Sequence, residues 1–118
     1  MYKVIRSGEL KPSMGGTITF EGEPHGGGVS FFLMDTAPGA GPDLHVHPYS
    51  ETWIVRAGKA RFTVDGEEIE AGPGDILVAG PHTPHGFKNA GSERLDILCI
   101  HASPRIIQEW LTVGKAEA

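Results

Sequence analysis

Between Gly39 and Gly58 the chain reads GAGPDLHVHPYSETWIVRAG, with two histidines one residue apart and a glutamate four residues after the second. In an extended strand residues i and i+2 share a face, so His45 and His47 can present both imidazoles to one point. The bend Pro48-Tyr49-Ser50 is long enough to bring the Glu51 carboxylate back toward them. Three donors from one strand-turn-strand unit leave half of a coordination sphere uncovered. A second segment, GDILVAGPHTPHGFKN from Gly74 to Asn89, supplies His85, which opens a short strand after a Pro/Gly turn. Three neutral imidazole nitrogens and one carboxylate oxygen suit one divalent first-row ion per chain, whether Fe, Mn, Ni, Co, Cu or Zn. Around an octahedral ion such a set leaves two positions for water, substrate or dioxygen, which separates a working site from a closed structural one.

The elements that must position these donors are short strands. Strands are expected at Tyr2 to Ile5, Thr17 to Phe20, Val29 to Met34, Leu44 to His47 and Glu51 to Arg56. Lys59 to Val64 and Glu67 to Glu70 form a hairpin across Asp65-Gly66, a dipeptide suited to a type I′ turn. Ile76 to Ala79, His85 to Lys88 and Arg94 to His101 complete the sheet. Only the tail reads as helix, over 103–113: Ser103 as cap, Pro104 at the first helical position, Gly114 as stop, and an apolar stripe of Ile106, Ile107, Trp110 and Leu111. More than eight short antiparallel strands with one terminal helix make an all-β jelly-roll barrel the economical architecture.

Both donor segments resemble the paired motifs of the cupin superfamily. The first, 39–58, fits throughout as Gly39-x5-His45-x-His47-x3-Glu51-x6-Gly58. The second, 74–89, has Gly74, Pro84-His85 and Asn89 in place, but Gly80 stands where the family usually has Pro and His82 where it usually has Gly. The resemblance implies a single small cupin domain over 1–118, a jelly-roll barrel with a metal in its interior, and a homodimer, often with N-terminal strands exchanged.

Alternation predicts the barrel lining. With Glu51 inward, Trp53 and Val55 follow it, Phe62 and Val64 face in on the hairpin, and His85 and Phe87 share a face. Trp53, Phe62 and Phe87 are thus candidate walls of a substrate pocket, although Trp53 and Phe87 read first as barrel core, two descriptions that overlap near the ion, and no arginine falls on the inner register. Such a pocket suits an uncharged or aromatic molecule better than a dicarboxylate that needs an Arg clamp. Both registers of Leu95 to His101 are apolar, so periodicity leaves open whether His101 faces inward beside the metal, behind its ligands or in contact with substrate, or makes a capping contact near the start of the tail helix. His82 reads as an exposed turn residue, with a proton shuttle at the pocket mouth as its functional alternative. His25 reads as solvated, and Tyr49 as a surface aromatic at a turn, with a place at the pocket mouth as its alternative. Ile54, Phe31 or Phe32, Leu98 and Ile100 give an apolar outer face that needs a cover, and a homodimer is the simplest one.

Composition bounds the rest. One core is what 118 residues can bury, and 17 glycines with 9 prolines spread along the chain punctuate many short strands. A formal net charge of −5 without a basic cluster disfavours nucleic acid and anionic membrane as partners. The start MYKVIRSGEL has no apolar signal core and no later stretch is long enough to span a bilayer, so a cytoplasmic setting is expected. Cys99 is the single cysteine and reads as a small buried hydrophobe. The expected function is a metal-dependent enzyme on a small molecule. Among cupin activities the apolar lining favours a dioxygenase over a sugar isomerase or epimerase, and the missing arginine argues against oxalate-type decarboxylation. The alternatives are a non-catalytic barrel that binds or senses a small molecule or metal, and a barrel in which the ion is a structural pin.

Overall fold

Short β-branched and aromatic runs, broken by glycine and proline, form ten strands among residues 1–111, the part of the chain that the computed structural model describes. They are β1 (Thr17–Glu21), β2 (Ser30–Thr36), β3 (His45–Val46), β4 (Glu51–Ala57), β5 (Ala60–Val64), β6 (Glu67–Ala71), β7 (Ile76–Ala79), β8 (His85–Asn89), β9 (Leu95–His101) and β10 (Glu109–Trp110). A single 3-10 turn, Glu23–His25, lies between β1 and β2. One five-stranded sheet runs in the order β1-β2-β9-β4-β7 and the other in the order β10-β3-β8-β5-β6, with every pairing antiparallel. This is the jelly-roll architecture expected from the sequence. Among the described residues no helix is long and apolar enough to cross a membrane.

The side-chain period of two sorts each strand between core and surface. On β9 the inner register is Leu95, Ile97, Cys99 and His101, all buried, which settles the alternation that periodicity left open. On β4 Glu51, Trp53 and Val55 face in, and Trp53 meets Phe62 of the opposite sheet with ring centres 5.3 Å apart. On β2 Phe32 and Met34 pack on the core, and Phe31 lies on the outer face, opposite Ile100. Cys99 is buried, with Sγ 3.9 Å from Met34 Sδ. The β5–β6 hairpin turns through Asp65 and Gly66 at φ 50° and 83°, the paired positive φ that a type I′ turn needs.

Two expected elements do not form. Tyr2 to Ile5 pairs with nothing and leaves Tyr2 90% exposed, so β1 is the edge of its sheet. The tail is not a helix over its described part, and residues 112 and 113 of the expected span lie outside that part. Its backbone groups bond to distant partners instead: the Pro104 carbonyl accepts from Glu23 N–H, Ile106 N–H donates to Glu21, Ile107 N–H to Tyr49 and Leu111 N–H to the Leu44 carbonyl. A helix this short has little intrinsic stability, so long-range backbone bonds and the β10–β3 ladder win. The segment lies as an extended strap across the end of the barrel where β3 enters.

Gly58 ends the first donor segment where β4 bulges after Val55 and runs close to β9. Its φ is +88°, and a Cβ placed there would come within 2.5 Å of the Arg94 carbonyl oxygen. Gly39, at φ +82°, has open space around the same position. Gly58→Ala should therefore destabilise by about 2–4 kcal/mol, from strain and backbone displacement together, and Gly39→Ala by about 1 kcal/mol from strain alone. Urea unfolding of the two variants checks the order.

Candidate metal centre

Two cross-strand pairs build the site. His45 on β3 stands opposite His85 on β8, and Glu51 on β4 stands opposite His101 on β9. His47 lies just past β3, before the Pro48-Tyr49-Ser50 turn that leads into β4. The strand ends thus bring residues 40 positions apart in sequence, His45 and His85, to ring centres 4.4 Å apart. One potential donor atom from each of His45, His47, Glu51 and His85 lies within 4.8 Å of every other, and all four residues are buried. This cluster can hold a metal ion.

Hydrogen bonds turn each of the three imidazoles the same way. Nδ1 of His45 lies 2.7 Å from the Asp43 carbonyl, Nδ1 of His47 2.7 Å from the Ile107 carbonyl and Nδ1 of His85 2.9 Å from the Thr83 carbonyl. A carbonyl has no hydrogen to give, so Nδ1 carries the proton and Nε2 keeps its lone pair for the centre. Burial pushes the His45 imidazole down to about 4, with the bond to Asp43 offsetting part of this and His85 and His47 adding to it. His45 is therefore neutral at pH 7. Burial alone would push the Glu51 carboxyl up, but contacts with His101, His47 and His85 outweigh it and hold the group well below the usual carboxylate range when a proton sits on the facing nitrogens, in the place a bound cation would take.

The donor set fits a cation on a further observation. His47 Nε2 is 2.8 Å and His85 Nε2 3.1 Å from Glu51 Oε1, yet these three buried atoms have no hydrogen-bond partner. Two lone-pair nitrogens facing a carboxylate oxygen leave nothing positive between them, and each unsatisfied buried group costs about 1–3 kcal/mol. A divalent ion placed among them satisfies all three.

The remaining sequence candidates separate clearly. His101 is 1% exposed, with Nε2 3.2 Å from Glu51 Oε2 and Nδ1 2.7 Å from the Tyr49 hydroxyl. His82 is exposed on its turn at φ +61°; its N–H donates to the His47 carbonyl, and its ring borders an outer groove with Ile107 and Glu109 rather than the metal cavity. His25 is half-buried and stacked on Phe20 at 5.2 Å, not solvated, because the 3-10 turn folds it back onto β1. Tyr49 is no surface aromatic: its ring stacks on His47 at 5.0 Å and burial pushes its hydroxyl up, so it keeps its proton. The spacing of Tyr49 from His47, two residues, carried this signal, which the intervening proline obscured.

A cavity of about 170 Å³ opens beside the cluster. Trp53 and Phe87 line it, with Phe32, Met34, Pro42 and Trp110 completing an apolar wall and Thr17 and Gln108 adding polar atoms. Phe62 does not line it: it is 0% exposed and packs behind Trp53 and Phe87 as core. Gln108 and Trp110 come from the strap, so a helical reading of the tail could not find them.

Acid should loosen the ion-free protein. Unfolded histidine takes up a proton near pH 6.5, whereas folded His45 resists protonation until about 4, so its contribution is complete above 6.5 and is lost as pH falls toward 4. Glu51, depressed by its imidazole neighbours, contributes above the ordinary carboxylate range and loses that contribution below it. Urea midpoints of chelator-treated protein should stay level from pH 7.5 to about 6.5 and fall from there to pH 4.5, with a flatter profile in His45→Gln.

Comparison with known proteins agrees with this geometry. A family model for the cupin domain matches residues 32–101. A search of the curated proteins finds no match. Among solved structures, a double-stranded β-helix protein from Klebsiella pneumoniae is 25% identical with a TM-score of 0.72, over 92% of this chain and 90% of its own. Bacillus subtilis oxalate decarboxylase, a protein with Mn(II) centres, is 26% identical with a TM-score of 0.76 over 92% of this chain and 31% of its own. The Lactobacillus farciminis oxalate decarboxylase is 24% identical with a TM-score of 0.79, over 94% and 36% respectively. The chain thus spans about a third of those decarboxylases. Two antiparallel sheets enclosing a His-His-Glu-His cluster, under a family model that covers both donor segments, place this chain in the cupin family.

Proposed function

We propose that this protein is a metal-dependent enzyme acting on a small, largely apolar molecule, with dioxygen as co-substrate. The observation that carries the reading is the cavity itself, in which Phe32, Met34, Trp53, Phe87 and Trp110 face the edge of the cluster at His45 and Glu51. His45, His47, His85 and Glu51 would hold one divalent ion of the Fe, Mn, Ni, Co, Cu or Zn type, which supplies Lewis acidity or redox chemistry when bound. The aromatic walls exclude water and hold the apolar body of a substrate. No arginine or lysine lines the cavity among the described residues. An aromatic, enol or diketone-like substrate suits this lining better than oxalate or a sugar, which need charge partners or many hydrogen bonds. The free, buried Cys99 suits a reducing compartment such as the cytoplasm.

The outer face of the β1-β2-β9-β4-β7 sheet supports a homodimer. Ile54, Leu98 and Ile100 lie on it, and Ile76 and Val78 at its β7 edge are 63% and 64% exposed. Antiparallel sheets that are apolar on both faces are seldom left wet. The double variant Ile76→Glu, Val78→Glu should sediment as a monomer where the parent sediments as a dimer.

Metal analysis and turnover test the enzyme reading together. His45→Ala, His47→Ala, Glu51→Ala and His85→Ala should each weaken metal binding beyond the roughly 10–100-fold expected of a residue that only orients a ligand, whereas His25→Ala and His82→Ala should retain full metal. Protein loaded in turn with Fe(II), Mn(II), Ni(II) and Cu(II) should consume dioxygen with a member of a 1,3-diketone, flavonol and catechol panel, and His47→Ala should abolish this. Ligand-dependent thermal stabilisation without turnover would instead identify a binding or sensing barrel.

A further inference from the structure

His101 is a fourth imidazole at the cluster, and its hydrogen bonds run opposite to those of the other three. The Tyr49 hydroxyl oxygen accepts the Ile107 N–H at 2.9 Å and lies 2.7 Å from His101 Nδ1. Among the described residues Nδ1 is the one acceptor within hydrogen-bond reach of that hydroxyl hydrogen. Tyr49 therefore donates to Nδ1, whose lone pair is occupied, and the ring proton of neutral His101 sits on Nε2. The other three imidazoles carry theirs on Nδ1, against carbonyls.

The Nε2–H of His101 then has no well-aligned acceptor among the described residues. It lies 3.2 Å from Glu51 Oε2 but outside hydrogen-bond geometry, it has no hydrogen-bond partner, and its residue is 1% exposed on the cavity wall beside Glu51. A buried donor left open next to a cavity is satisfied by what enters the cavity. We propose that His101 is a ligand-binding residue, whose Nε2–H donates to an acceptor oxygen of the molecule that occupies the cavity. The ligand class narrows accordingly to small apolar molecules carrying a carbonyl, enolate or carboxylate oxygen. Hydrocarbons and ammonium ions without such an oxygen are disfavoured, because they offer the donor no lone pair. The inference rests on the metal-centre reading, since the same oxygen lies beside the donor cluster, and it assigns His101 to the ligand rather than to the ion.

The test uses the intact chain. In Zn(II)-loaded protein, long-range nitrogen–proton correlation spectra should show the ring proton on Nδ1 for His45, His47 and His85 and on Nε2 for His101; a His101 proton on Nδ1 overturns the assignment. In Mn(II)-loaded protein, calorimetric titration with acetylacetone, an enolisable diketone, should give about tenfold weaker binding in His101→Phe, with bound metal unchanged, and partial recovery in His101→Gln. Tyr49→Phe, which keeps the imidazole, should show a smaller loss and a mixed proton position. Equal affinity in wild type and His101→Phe overturns the proposal, as does metal loss in His101→Phe as deep as in His47→Ala, or failure of the metal-loaded wild type to bind acetylacetone. Absence of metal from wild type removes the metal-centre reading itself, and this one with it.

Discussion

The site depends on one electrostatic constraint: a carboxylate, Glu51, 3% exposed, set among imidazoles whose free nitrogens point at it. An anion in such a place needs positive charge or donated hydrogens close by, or it unbalances the fold. Three of the surrounding rings donate their Nδ1–H to backbone carbonyls, and two of these, His47 and His85, face the carboxylate with Nε2. The arrangement is tense as a set of protein groups and relaxed once a cation sits among them. The Nδ1 contacts therefore matter as much as the donors, because they decide which nitrogen is offered.

Much of this was legible in the chain because it rests on local rules. The period-two spacing of His45 and His47, the inward alternation from Glu51 through Trp53 to Val55, and the Asp65-Gly66 turn all follow from strand geometry. His85 was legible because a proline and a glycine isolate it at the start of a short strand. What failed depended on contacts with distant partners. The tail has cap, proline and stripe in the right places for a helix, yet Glu21, Tyr49 and Leu44 each take one of its backbone donors. That choice is invisible to a reading confined to a dozen residues.

The same strap explains why the pocket walls were only partly foreseen. Trp53 and Phe87 belong to strands whose register the sequence discloses, whereas Gln108 and Trp110 arrive by a crossing whose path no local pattern encodes. Phe62 shows the opposite limit: alternation finds which residues face inward and says nothing about depth, and this ring is sealed behind two others. Tyr49 and His101 were separated in the reading by 52 positions, and only the closing of β9 against β4 joins them.

The donors are divided between the two sheets. Glu51 rides on β4 of one, while His45 and His85 ride on β3 and β8 of the other. A cation gripped by both sides would tie the two sheets together at this cluster, next to the Trp53 ring, which lies 4.8 Å from the His85 ring and 5.3 Å from Phe62. Whatever removes the ion would therefore act on both sheets at once, so the resilience of the whole sandwich, and not of one hairpin, would track the supply of metal.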